Sequence, residues 1–199
     1  MKLLIATRNP DKFREISAIF DMPSVELVNL DDCPPLPEVV EDGETFRDNA
    51  IKKAVTLARA SGSWTMADDS GLEVDALGGE PGVFSARYAG EPVDYRANNV
   101  KLRKALEREG NRAARFRCAI ALSAPDGSVR TVEGRCEGRI VDAPRGEHGF
   151  GYDPLFAPQG HDRTFAEMDP AEKNRISHRA VALERARGEW ADLSRWLSS

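Results

Sequence analysis

Apolar positions recur along this chain with two periods, and the alternation between them predicts the elements. Lys2–Ala6 (KLLIA) is a short apolar run suited to a buried strand. In the NPDKFREISAIF segment that follows, Phe13, Ile16, Ile19 and Phe20 recur at three-to-four spacing, which predicts an amphipathic helix. Asn9 stands at its N-cap, and Pro10 takes the first helical position, where a missing N–H costs nothing. Val25–Leu30 reads as a second strand, and the Pro-rich, acidic DDCPPLPEVVEDGE as a loop. A second helix starts at Thr45, with Phe46, Asn49, Ala50, Lys53, Ala54, Leu57 and Ala58 on one face and Asp48 three residues after the cap.

The stretch MADDSGLEVDALGG, Met66 to Gly79, reads as a strand and then a turn, and Gly78–Gly90 as a Gly-rich connection. A helix over VDYRANNVKLRKALERE turns Val100, Leu102 and Leu106 inward. ARFRCAIALSA alternates Phe116, Cys118, Ile120 and Leu122, the period of a strand; PDGS makes a hairpin turn, and VRTVEGRCEGRIV returns as its partner. RGEHGFGYDPLFAPQG is a second Gly-rich loop. Asp169 caps and Pro170 opens the terminal helices, whose buried stripe is Leu183, Trp190, Leu193 and Leu197. Strands and helices alternate early and a hairpin comes late, so the class is α/β with a mixed sheet. No internal repeat or linker interrupts residues 1–199, which read as a single domain.

Charge narrows the function. With 28 Lys and Arg against 33 Asp and Glu, the net charge is −5, a poor match to a nucleic-acid backbone but compatible with a small phosphorylated ligand held by a few placed cations. Three cysteines, Cys33, Cys118 and Cys136, with no close pairing, argue for a reducing compartment. The first apolar run, Leu3 to Ala6, is too short for a signal peptide or a membrane span, so the expected location is the cytoplasm, with no membrane partner.

Five stretches carry candidate chemistry. TRNPDK, at the end of a strand and the start of a capped helix, is expected to aim free backbone N–H groups at one point, with Arg8 and Lys12 adding positive charge; it also suits an ordinary strand-to-helix turn. Asp68 and Asp69, together with Glu41 and Asp42 in the acidic loop, offer hard oxygen ligands of the kind Mg²⁺ takes alongside substrate phosphates. At the C-terminal end of a strand they would face the ligand edge of an open α/β sheet, yet DDSG equally suits a solvated turn. GFGYDP sets Phe150 and Tyr152 in a Gly-rich backbone beside Asp153, able to stack on a base or to anchor the loop to the core. EKNRISHR brings Lys173, His178 and Arg179 close in sequence, where they could close over phosphates and a base from one helix start or form a charged helix surface. In SARYAG, Arg87 suits a ligand contact or a loop salt bridge.

Taken together, TRNPDK, TFRDNAIKKA, ADDSGLEVDALGGEPGVFSARYAG, GFGYDPLF and EKNRISHRA resemble, in the same order and along nearly the whole chain, the inosine triphosphate pyrophosphatase family. The resemblance implies a long twisted mixed sheet with helices, two lobes around a central cleft, and a homodimer. It implies hydrolysis of ITP, dITP or XTP to the monophosphate and pyrophosphate with Mg²⁺. It matches Thr7, Arg8, Asn9, Pro10, Asp11 and Lys12 to the phosphate-binding turn, and Glu41 and Asp69 to the Mg²⁺ ligands, with Asp68 in support. Asp69 also matches the proton acceptor for the attacking water, and Ser70 a substrate contact. Phe150, Gly151, Tyr152 and Asp153 match the base-recognition loop, and Lys173, His178 and Arg179 the far side of the pocket. A γ-phosphatase releasing orthophosphate and a nucleotide sensor without turnover are the rival readings. A 6-oxo group selects for donors, so His178, Arg179 and the N–H groups of residues 150–153 are the expected readers of the base edge.

Overall fold

The computed structural model describes residues 2–20, 22 and 25–190. Strand β1, Lys2–Ile5, leads through the TRNPDK turn into helix α1, Pro10–Ile19. Strand β2, Glu26–Asn29, and helix α2, Phe46–Ser61, follow, the latter with Thr45 accepting from the Asp48 amide as its N-cap. Then come strand β3, Thr65–Val74, helix α3, Tyr95–Ala105, and the long strands β4, Ala113–Ser123, and β5, Val129–Ile140. Short strand β6, Phe156–Pro158, and helices α4, Pro170–Ile176, and α5, His178–Glu189, complete the elements. The strands form one mixed sheet in the order β2-β1-β3-β4-β5-β6, with β1 parallel to β2 and β3, and β5 antiparallel to β6. The α/β class and the flanking helices agree with the sequence pattern.

The described chain divides into two compact units. The first takes residues up to Asp69, Cys118–Gly134 and residues from Arg179 onward; the second takes Ser70–Arg117 and Arg135–His178. Each has its own apolar core. Leu3, Ile5, Ile16, Met66, Ile120 and Leu183 are at the centre of the first. Leu72, Leu102, Phe116, Phe156, Phe165 and Met168 fill the second, where the Phe116 ring meets Phe156 edge-on with centroids 4.7 Å apart. No helix among the described residues is long and apolar enough to cross a membrane.

Four expectations change. The DDSG stretch is not a turn: β3 runs straight through it, because burial of Met66, Ala67, Leu72 and Val74 and pairing in the sheet outweigh local turn preference. The loop over residues 145–160 contains β6, too short to show a period of its own. Val100 points to solvent, while α3 buries Asn98 in addition to the expected Leu102, and Leu106 is buried as expected just beyond its end. Leu193 and Leu197 lie outside the described residues, while Leu183 and Trp190 are buried as expected.

Strand β6 depends on a glycine. Gly138 on β5 faces Pro158, and a Cβ there would stand 2.4 Å from the Ala157 carbonyl oxygen and 2.6 Å from the Phe156 ring. Gly138→Ala is therefore expected to destabilise the protein by about 1–3 kcal/mol, seen as a lower urea midpoint with an unchanged slope. A wild-type midpoint would show that β6 gives way at no cost.

Candidate functional site

In the first unit, the sequence puts two aspartates side by side on β3, and strand alternation sends them to opposite faces. Register places them just past the end of β1, whose last partner on β3 is Met66. The chain of β1 leaves there into the TRNPDK turn. Both carboxylates are buried, Asp68 2% and Asp69 6% exposed. Their surroundings set them apart.

Asp68 lies between cations. Its Oδ2 is 3.3 Å from Lys12 Nζ and accepts from Arg179 Nη2 at 3.0 Å and Nε at 3.3 Å. The Cys118 thiol lies 4.0 Å away. Arg179 is itself tied on its other side to Glu15 of α1. Burial disfavours the Asp68 anion, but Lys12, Arg179 and Lys53 outweigh it and hold the carboxyl far below its ordinary range. The same attraction raises Lys12 against its own desolvation.

Asp69 has weaker support. Its Oδ2 accepts from Asn49 Nδ2 at 3.0 Å, and Asn49 in turn accepts from the Gly43 amide at 2.7 Å, which fixes the acidic loop. In that loop Glu41 pairs with Lys53 at 2.7 Å, whereas Asp42 turns to solvent with Lys52 at 2.5 Å. Desolvation raises the Asp69 pKa; Lys12 and Lys53 pull it down, Glu41 pushes it up again, and the net result is a carboxyl above its ordinary range. Of the two loop acids it is thus Glu41 that acts on Asp69.

The TRNPDK turn differs from expectation. Its backbone N–H groups are engaged locally: the Asn9 amide donates to Thr7 Oγ1, and the Asp11 and Lys12 amides to Asn9 Oδ1. Asp11 adds a negative charge that Arg14 offsets at 2.9 Å. Positive charge in this turn comes from side chains, exposed Arg8 and Lys12, not from an open helix N-terminus.

In the second unit, the GFGYD loop is built around Asp153, 2% exposed. Its Oδ2 accepts from the Phe150 amide at 2.8 Å and from Lys173 Nζ at 2.5 Å. Lys173 also lies 5.0 Å over the Phe150 ring. Tyr152 does not lie open beside a ligand: it is buried, and its hydroxyl donates to the Ser85 carbonyl at 2.9 Å. Of the two aromatics, only Phe150 keeps partial exposure. His178 stacks on Phe116 with centroids 4.7 Å apart. Lys173 sits on α4 while His178 and Arg179 open α5, so the three do not share one helix start. Arg87 lies over the Phe84 ring at 5.3 Å, and Ser70 follows Asp69 on β3, half-buried.

The sequence reading did not single out Asn49, Lys53, Glu15 or the pair Asn98 and Asn99. The signal for the first two was present: an amide and an ammonium on the apolar face of α2 call for buried polar partners.

The residues fit a hard divalent cation in part. Among the described residues no group of three His, Cys, Asp or Glu could hold a metal ion. Asp68 is committed to two cations, which leaves Asp69 and Glu41. Two carboxylates suit Mg²⁺, which completes its shell with water and phosphate oxygens, and a buried carboxylate with a raised pKa gains from a cation.

The two aspartates should respond oppositely to neutralisation. Asp68→Asn strands the buried charges of Lys12 and Arg179 and should cost about 3–5 kcal/mol in denaturant unfolding. Asp69→Asn keeps the Asn49 hydrogen bond and should match or exceed wild-type stability without metal. Because the Asp69 pKa is raised on folding, wild type gains stability as pH falls through that pKa, so the advantage of Asp69→Asn is largest at neutral pH and closes in acid. Equal losses from both substitutions would contradict this division.

Comparison with known proteins identifies the family of the chain. The model of the Ham1 family matches residues 3–188. The dITP/XTP pyrophosphatase of Desulforamulus reducens is 52% identical over 188 residues, 94% of each chain. That of Syntrophobacter fumaroxidans is 53% identical over 197 residues, 98% of this chain and 84% of the relative. The structure of the Staphylococcus aureus Ham1 protein superposes with a TM-score of 0.87 at 39% identity, covering 96% of this chain and 99% of that one. A match of this length, in sequence and in fold, makes the chain a member of the Ham1 family.

Proposed function

We propose that this protein hydrolyses non-standard purine nucleoside triphosphates, ITP, dITP and XTP, to the monophosphate and pyrophosphate, and so cleanses the nucleotide pool. The observation that carries the reading is the divergence of Asp68 and Asp69: one is a fixed anion locked between Lys12 and Arg179, the other a buried carboxylate with a raised pKa. Burial raises Asp69 in the metal-free protein, and Asn49 holds its carboxylate, the group proposed here as the general base. Relatives about half identical to this chain carry the name dITP/XTP pyrophosphatase, which supports the substrate class.

In this reaction Asp69 takes a proton from water as its oxygen attacks the α-phosphorus, and the bond to the β-phosphate bridge breaks to release pyrophosphate. Lys12, Arg8 and Lys53 supply positive charge to the triphosphate, and Asn49 orients the base. Asp69 and Glu41 would hold Mg²⁺, which when bound neutralises charge on the phosphates. The second unit reads the base, with Phe150 as the stacking surface. Of the expected edge readers, Arg179 is committed to carboxylates, the Phe150 amide to Asp153 and the Asp153 amide to the Phe150 carbonyl, which leaves His178 and the Gly151 and Tyr152 amides for the 6-oxo group. The whole chain acts as one functional domain, in the cytoplasm and as a homodimer.

The direct test is turnover of ITP with and without Mg²⁺, measuring pyrophosphate and orthophosphate separately, with ATP and GTP as controls. Equal amounts of IMP and pyrophosphate, only with Mg²⁺ and with ATP and GTP spared, are expected. Orthophosphate as the first product would make the enzyme a γ-phosphatase, and binding without product would make it a sensor. Asp69→Asn should lose about 10²–10⁴-fold in kcat while remaining folded; near-wild-type turnover would remove Asp69 from the role of base.

A further inference from the structure

Helix α3 carries two consecutive asparagines, each of which bridges to the backbone of a different segment. Asn98, 1% exposed, accepts from the Ala89 amide at 2.7 Å and donates to the Ala86 carbonyl at 2.8 Å, holding the SARYAG segment. Asn99 donates from Nδ2 to the Gly151 carbonyl at 2.9 Å, across 52 residues of sequence. One turn earlier, the Tyr95 ring lies 6.1 Å from that of Phe150. The i, i+4 pair Tyr95 and Asn99 therefore forms one helical stripe against Phe150 and Gly151.

The GFGYD loop needs such a hold. Gly151 adopts a left-handed φ of +62°, and Gly149, at φ +73°, lies so close to Asp153 that a Cβ would meet its Oδ2 at 2.0 Å. Asp153 and Lys173 tie down one end of the loop, and Tyr152 ties to Ser85. Between them, Asn99 fixes the Gly151 peptide. Its amide oxygen is buried with no hydrogen-bond partner among the described residues, an unfavourable state for a polar group. A leucine would fill similar space without that cost; what the amide adds is the donor to Gly151.

We propose that Asn99 is a positioning residue for base selection: by holding the Gly151 carbonyl it fixes the peptide beside Phe150 and sets how well the loop discriminates a 6-oxopurine from adenine. This rests on the function proposed above. Asn99 touches no reacting atom, and the carboxylates that do the chemistry belong to the other unit, so its loss should be read in KM and selectivity, not in kcat.

The test is steady-state hydrolysis of ITP and ATP by wild type, Asn99→Leu and Asn99→Asp, with Tm measured for each. Asn99→Asp keeps size and polarity but presents an acceptor to the Gly151 carbonyl. Both variants should raise KM for ITP about tenfold with kcat within about threefold, and narrow the ITP-to-ATP ratio of kcat/KM, as expected for losing one partly buried hydrogen bond. Unchanged KM and ratio would overturn the proposal. So would a fall in kcat at constant KM that follows Tm, the mark of a merely structural role. Wild type is the control for the underlying reading: if it does not convert ITP to IMP and pyrophosphate, the function fails; if it does and the variants discriminate as well as wild type, this inference alone fails.

Discussion

The contact on which the first unit depends is the meeting of Asp68 with Lys12 and Arg179. A lone carboxylate 2% exposed would take up a proton or unfold its surroundings. Two cations from α1 and α5 keep it ionised, and Glu15 balances the second charge on Arg179. This charge cluster joins β3 to the helices on one of its faces, at the point where β1 ends and the sheet offers no further strand on that side. Such a network is a weak source of net stability, but it is intolerant of losing one member, and that intolerance gives it a defined geometry.

The consequence falls on the neighbouring residue. Strand alternation denies Asp69 the full cluster, and Asn49 supplies one neutral hydrogen bond in its place. One peptide bond thus separates a carboxylate fixed as an anion from one whose charge burial disfavours. The repulsion between adjacent aspartates, a puzzle in the bare sequence, is relieved by cations of the chain on one face and left partly unrelieved on the other. The second unit works with different means. Its loop is held by an amide and a hydroxyl that donate to carbonyls, Asn99 to Gly151 and Tyr152 to Ser85, and by the buried ion pair of Lys173 and Asp153. Charge governs the aspartate pair of the first unit, and neutral hydrogen bonds govern the GFGYD loop of the second.

Much of this was legible in residue patterns. The 3.6 period located α1 and α2, the caps Asn9, Thr45 and Asp169 mark helix starts in fact, and alternation with PDGS located the β4–β5 hairpin. The motifs named most of the side chains that the structure gathers in each unit. What failed did so for tertiary reasons. DDSG has turn composition but lies mid-strand, since its neighbours are buried on both faces. The N–H groups of TRNPDK looked open until Thr7 and Asn9 proved to cap them. Arg179 and Tyr152 carry groups able to touch a ligand, yet burial and partners far away in sequence turn them inward. Local sequence specifies a group's chemistry; only packing decides whether that chemistry faces a ligand or another residue.

The central claim is that two adjacent aspartates ionise in opposite senses. Carboxyl-carbon NMR titration of the metal-free protein, assigned with Asp68→Asn and Asp69→Asn, measures this directly. The account predicts that Asp68 stays ionised down to the acid limit of the fold, that Asp69 titrates above the ordinary aspartate value, and that Mg²⁺ moves Asp69 downward while leaving Asp68 in place. Two carboxyls titrating together near the ordinary value, or in the reverse order, would contradict it.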